Sequence, residues 1–270
     1  MGVPVNPALI TGLSGPIEVA VSEDNLFVAN YNTGTIGRYT TSGVPVNPNL
    51  ITGLGGPVDL ALSGGNLFVV NRDTGTIGQY TTSGVAVNPA LIRGLNGPTS
   101  IAVSGEHLFV VSPDRASESS TLAEYTTSGA MVNPALVSHL GGVSDIGLSG
   151  DRLFVVDIID GLIGEYTTSG ATVNPALVSG LTGPGGIAFF GGNLFVANLN
   201  TGTIGEYTIG GATVNAALVS GLNRPAGIAV VSATVADESS SSTLLLLGLT
   251  ATLGLRVIRP AGLTLAQPLH

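Results

Sequence analysis

Residues 15–54 read GPIEVAVSEDNLFVANYNTGTIGRYTTSGVPVNPNLITGL, and residues 55–95 repeat them as GGPVDLALSGGNLFVVNRDTGTIGQYTTSGVAVNPALIRGL. The motif continues along the chain. Its central Phe stands at Phe27, Phe68, Phe109, Phe154 and Phe195, at spacings of 41, 41, 45 and 41 residues. A V-N-P marker puts Asn at Asn6, Asn47, Asn88, Asn133 and Asn174, then at Asn215, where Ala216 replaces the Pro. Tyr39, Tyr80, Tyr125, Tyr166 and Tyr207 keep the same period. Three markers in one register mean a repeat architecture, with each unit leaning on its neighbours for its core.

Within the first unit, four apolar or alternating runs are separated by turn residues. They are Ile17–Val21, Asn25–Ala29, Thr35–Thr40 and Val44–Ile51. Ser22–Asp24, Asn32–Gly34 and Ser42-Gly43 carry the turn chemistry between them. The first two runs are apolar on both faces, as strands buried on both sides are. Pro48 has no N–H to give to a ladder, so the fourth run belongs at an edge. A short helix capped by Asn47 is the rival there, but only three or four residues could follow in it. Four strands in about 40 residues, buried inside and polar at one edge, predict an all-β fold, a β-propeller of four-stranded blades.

Five complete units run over 15–54, 55–95, 96–140, 141–181 and 182–222. An orphan outer strand, about 3–10, precedes them, and an orphan inner strand, about 226–231, follows. These two are expected to form a partial sixth blade whose middle strands lie upstream of Met1, in a start that has been lost. The expected domains are a propeller over 1–231, a Ser-rich linker over 232–242, an apolar segment over 243–258 and a short tail over 259–270. As a helix the run Leu244–Leu255 would extend only about 18 Å, against the ~30 Å of a hydrocarbon core. It has no polar face at helical spacing, so a short apolar C-terminal helix used as a sorting or transient membrane segment is expected.

Composition narrows the function classes. Charged residues make up 9% of the 270 residues, the net charge is −9, and the basic residues are eight scattered arginines with no lysine. Phosphate neutralisation needs clustered cations, so nucleic acid is not an expected partner. With no cysteine, disulfides, thiolate nucleophiles and Cys-ligated metals are excluded.

The repeats, of the form GLxGPxxIAVSxxNLFVANxxTGTIGxYTTSG, resemble those of NHL and SMP-30/gluconolactonase-type propellers over about residues 3–231. The tail VADESSSSTLLLLGL…RVIR resembles the C-terminal sorting signals of the PEP-CTERM group, notably the Val-Pro-Asp variants. Ala236 stands where that group has Pro, only two arginines close the segment, and eleven residues follow. The resemblance implies bacterial secretion, recognition by an exosortase, removal of the tail, and delivery to the envelope or matrix. MGVPVNPALITGLSGP has no basic or apolar leader region, which fits the same expectation of a lost start.

In lactonase-like propellers, Asn or Asp ligands of an axial metal directly follow the residue that opens the inner strand. Here those positions hold Ile17, Val58, Thr99, Ser144, Gly185 and Ala226, so that site is not carried over. One residue further on stand Glu18, Asp59, Ser100, Asp145, Gly186 and Gly227. In a near-symmetric ring Glu18, Asp59 and Asp145 converge near the axis. Oxygen ligands would suit Ca²⁺, and like charges held close would raise a carboxyl pKa for acid–base work. Three separated, solvated carboxylates are the plainer alternative. His107 and His139, on different loops, are read as surface positions. Asn30, Asn71, Ser112, Asp157 and Asn198 are read as turn residues, and the repeated Tyr as packing. The four-residue insertion in Ser112–Tyr125 marks a rim loop. The expected function is a secreted, non-enzymatic binding or structural module contacting an extracellular ligand or matrix component. The alternative is a metal-dependent lactonase- or hydrolase-like enzyme.

Overall fold

A computed structural model describes residues 3–114, 119–234, 242–250 and 254–259, giving the backbone alone for 3–8 and from 231 onward. Its strands form six four-stranded antiparallel sheets. Blade 1 runs from the axis outward as Pro16–Ser22, Asn25–Asn30, Thr35–Thr40 and Pro45–Ile51. The innermost strands of the next four blades are Pro57–Ser63, Ser100–Ser104, Val143–Ser149 and Pro184–Phe190. Each inner strand touches the next around the ring. The all-β propeller expected from the repeat is therefore present, and Pro48 lies in an outer edge strand rather than a helix.

The repeated residues have a common physical use. Phe27, Phe68, Phe109, Phe154 and Phe195 are all fully buried, each between its own sheet and the neighbouring blade. The G-x-Y of strand three is a packing unit. A Cβ on Gly37 would lie 2.7 Å from the Tyr39 ring, and Gly78 and Gly205 stand in the same relation to Tyr80 and Tyr207. The tyrosines are buried, as expected of packing residues. Gly34 turns the second hairpin with φ +62, and its carbonyl accepts Leu54 N–H at 3.0 Å, tying one blade to the start of the next.

Blade 6 differs from expectation. Its inner strand, Pro225–Thr234, pairs with Ser242–Thr250, which pairs with Gly254–Arg259, which pairs with Val3–Ile10. The middle strands thus come from the C-terminal segment, not from residues upstream of Met1, and the apolar run is a hairpin rather than a helix. The register shows why. Leu255, Val257 and Ile258 face Ile10, Asn6 and Pro4, as Ile36, Arg38 and Tyr39 face Ile51, Asn47 and Pro45 in blade 1. An unbroken apolar run suits a strand buried on both faces, and every second strand of the other blades carries one. Closing the ring with both chain ends leaves no unpaired inner edge at the seam. The acidic and Ser-rich motif over 235–241 lies outside the described residues. Among those residues, no helix is long and apolar enough to cross a membrane.

Part of the insertion in blade 3 also pairs. Its four extra residues lengthen a hairpin by two pairs, Pro113↔Ser120 and Asp114↔Ser119, beyond the point where blade 1 turns.

Candidate functional site

At the end of the ring where the inner strands begin, a cavity of about 450 Å³ opens on the axis. Its floor is set by Glu18, Asp59 and Asp145, and its walls include Ile17, Val58, Val143, Ile158 and Leu199. The repeat places the floor residues, because each stands two positions into its strand, at the point nearest the axis. A second tier comes from the residue just after strand two of blades 1, 2, 4 and 5, which gives Tyr31, Arg72, Ile158 and Leu199. Sequence reasoning missed that tier. Its signal was variation inside an otherwise uniform repeat: Asn-Tyr, Asn-Arg, Ser-Pro, Asp-Ile and Asn-Leu at equivalent places.

The carboxylates are neither separated nor free. Asp59 Oδ1 accepts Leu60 N–H at 2.6 Å, and its Oδ2 accepts Ile101 N–H and Ser100 Oγ–H, both at 2.7 Å. Asp145 Oδ2 accepts Ile187 N–H at 2.9 Å, while its Oδ1 lies 2.8 Å from Ile146 N and 2.9 Å from Ser100 Oγ. Ser100 Oγ in turn accepts Ile146 N–H at 3.1 Å. Blade 2 is thus stapled to blade 3, 3 to 4, and 4 to 5. Glu18 is less engaged. Its Oε1 accepts Val19 N–H at 3.0 Å, and its carboxylate lies over Gly227, where a Cβ would come within 2.7 Å of Oε2. Gly227 leaves the room that Glu18 occupies.

Burial raises all three carboxyl groups. Asp145 is pushed up to about 8, first by burial and then by the Asp59 charge. Asp59 is pushed up to about 6 by burial, with its hydrogen bonds pulling the other way. Glu18 is raised well above its ordinary value by burial and then by the charges of Asp145 and Asp59.

Five backbone N–H groups and one hydroxyl compete with a Ca²⁺ ion for the lone pairs of these carboxylates. Among the described residues no group of three or more His, Cys, Asp or Glu side chains could hold a metal ion. Adding millimolar Ca²⁺ to chelator-treated protein is therefore expected to leave the unfolding temperature unchanged. A saturable rise would show that Glu18, Asp59 and Asp145 rearrange around the ion.

His107 and His139 stay away from the axis. His107 opens a strand rather than sitting in a loop, and its Nδ1 lies 2.6 Å from Glu124 Oε1 in the cleft between blades 3 and 4. His139 is exposed, with φ +58. Of the strand-closing residues, Asp157 serves its turn by accepting Ile159 and Asp160 N–H at 2.9 and 3.0 Å. Asn30 donates within its own hairpin to Val28 O.

Comparison with known proteins supports the architecture. A chain of a nidogen/laminin complex aligns with a TM-score of 0.71 at 18% identity, covering 79% of this chain and 84% of that one. A streptogramin B lyase aligns at 0.65 and 18%, covering 96% and 87%. A gluconolactonase from Xanthomonas campestris aligns at 0.75 and 11%, covering 94% and 88%. The chain is a β-propeller. No family model matches it, and no curated protein does. At these identities the likeness is one of fold, and that fold carries both binding modules and enzymes.

Proposed function

We propose that this propeller is a non-enzymatic binding module whose axial cup takes a small ligand with an apolar body and a cationic, hydrogen-bond-donating head. One observation carries the reading. Glu18, the least engaged of the three acids, sits at the floor of a cup walled by Ile17, Val58, Val143, Ile158 and Leu199. Concave, mostly apolar sites with a few converging polar groups are the usual form of small-ligand pockets. Thr99 Oγ1 adds a buried hydroxyl in the wall with no hydrogen-bond partner.

Benzylamine is a suitable probe. Its ring matches the walls, its ammonium matches Glu18, and an affinity on the order of 1 mM is expected for so small a ligand. Calorimetry should show saturable binding coupled to proton release, as the ammonium draws the raised Glu18 carboxyl into its ionised form, and that binding should fall at least about tenfold in Glu18→Gln, the loss of one charge-assisted hydrogen bond. Ile158→Arg should abolish it without moving the unfolding temperature by more than about 2 °C, since the site is exposed. Equal binding by all three proteins would overturn the proposal.

The tail supports a second part of the proposal, a place of work at the bacterial envelope or outside the cell, in contact with a ligand or matrix component there. Its acidic step, serine run, apolar segment and arginines carry that reading. Fractionation of the native host with intact-mass measurement tests it. A product in the envelope or medium is expected, and a cytosolic one would overturn it. Removal of the tail by an exosortase would also remove the strands Ser242–Thr250 and Gly254–Arg259 from blade 6, so the mature mass reports which use those residues have.

A hydrolase-like enzyme is the second reading, favoured by the raised carboxyl groups of Asp59 and Asp145 at the cup floor. Hydrolysis of simple lactones or aryl esters, lost in Asp59→Asn and Asp145→Asn, would replace the binding-module reading with this one.

A further inference from the structure

Ser100 is fully buried and stands between two acids. Its Oγ lies 2.7 Å from Asp59 Oδ2 and 2.9 Å from Asp145 Oδ1. A hydroxyl has one hydrogen, so it satisfies only one of these contacts. With both acids ionised, the other contact would bring two lone pairs together under 3 Å apart at a hydroxyl that is itself out of contact with water, a costly arrangement.

The remaining donors decide where the extra proton sits. Each oxygen of Asp59 already faces a donor fixed by the backbone, Leu60 N–H on one and Ile101 N–H on the other. A proton on Oδ2 would weaken the bond from Ile101 N–H, and a proton on Oδ1 would not reach Ser100 Oγ, which lies on the Oδ2 side. Asp145 Oδ2 is likewise committed to Ile187 N–H. Asp145 Oδ1 is different, because the amide near it, Ile146 N–H, has a second acceptor in Ser100 Oγ at 3.1 Å. One arrangement satisfies every group. Ser100 donates to Asp59, Asp145 Oδ1–H donates to Ser100, and Ile146 N–H leans toward Ser100.

We infer that the folded chain holds a proton on Asp145, donated to Ser100 Oγ, and that this proton is the pH-sensitive link joining blades 3 and 4 at the axis. The link continues a run of hydrogen bonds from blade 2 through Asp59 to blade 5 through Ile187. The other charged groups around it are Glu18 from blade 1 and Arg72 at the cup rim, with the Tyr31–Asp73 pair beside the latter. Blades 5 and 6 present Gly186 and Gly227 at the equivalent places, with no charge. The upward displacement of the Asp145 carboxyl by burial and by the Asp59 charge agrees with the geometry.

The consequence for stability has a definite sign. The folded pKa of Asp145 lies above the ordinary aspartate value of the unfolded chain, so the folded state binds the extra proton between them. Stability from this group is fully present below about pH 4 and is lost as pH rises through about 8. The inference does not rest on the ligand proposed above, and a failure to bind benzylamine leaves it standing.

Thermal unfolding of the full chain between pH 5 and pH 9 tests it, together with two variants. Wild type should lose melting temperature steadily across this range. Asp145→Asn should make the loss smaller, leaving the part that the raised Glu18 and Asp59 carboxyls contribute, and match or exceed wild type at pH 8, because its Nδ2 donates to Ser100 as the protonated acid does while its Oδ1 accepts Ile187 N–H. Asp59→Asn should be less stable at every pH, because its NH₂ must face a backbone N–H. Infrared spectra of the unmutated chain at pH 6 supply a readout independent of variant folding. They should contain a carboxylic-acid C=O band that shifts in D₂O and disappears above pH 9. A wild-type melting temperature that is flat or rises with pH, equal behaviour of the two variants, or no acid band would each overturn the inference.

Discussion

Deleting residues 242–259 is expected to lower the unfolding temperature by about 10–20 °C, or to give an insoluble product. The deletion removes Ser242–Thr250 and Gly254–Arg259, the two middle strands of blade 6. Val3–Ile10 then loses its pairing with Gly254–Arg259, and Pro225–Thr234 keeps its contacts to the neighbouring inner strands and to Asn193–Asn198 but no ladder partner on its outer side. Two open ladders and an exposed seam exceed the range of ordinary point mutations, about 5 kcal/mol or more. At roughly 2–4 °C per kcal/mol for a chain of this size, the shift follows. A peptide of residues 242–259 added in trans should recover part of it by pairing with both exposed edges. An unchanged melting temperature would mean that the tail is no part of the ring, and the closure described above would fall.

The second large effect is expected from Phe154→Ala. Phe154 has 0% exposure and packs its ring 5.0 Å from that of Phe189 on the next blade, at 49°. Truncation leaves a cavity at a blade interface that two rigid sheets fill poorly. The cost is about 3–5 kcal/mol, or roughly 10 °C. Val85→Ser, at a position 62% exposed just before the outer strand Ala86–Ile92, should change stability by less than about 0.5 kcal/mol. A loss below about 1 kcal/mol for Phe154→Ala would show that blades are not held by these rings.

The repeat made five blades legible because each strand type has its own pattern. An all-apolar NLFVA, a G-x-Y with its ring over the glycine, and a Pro-blunted edge are hard to place elsewhere. The sixth blade was illegible for the same reason. Leu244–Leu255 shares no marker with the repeat, and apolar runs of that length fit a helix, a sorting segment and a buried strand alike. Only pairing with Pro225–Thr234 and Val3–Ile10 distinguishes them, and pairing with a distant segment leaves no local signal. At the site, symmetry brought Glu18, Asp59 and Asp145 to one place from the sequence alone. Ser100 was noticed as a ring position but not as the bridge, because its role depends on distances of under 3 Å to two other blades. The upper tier, with Ile158 and Leu199, was hidden by being the variable element.

The most direct test of the central claim, that the axial cup is the working site, is an amide-shift titration of isotope-labelled protein with benzylamine. Saturable shifts confined to the beginnings of the inner strands, around Glu18, Asp59, Thr99 and Asp145, are the predicted result. Shifts confined to the outer strands around Val46, Val87 and Val214, or none that saturate, would contradict it.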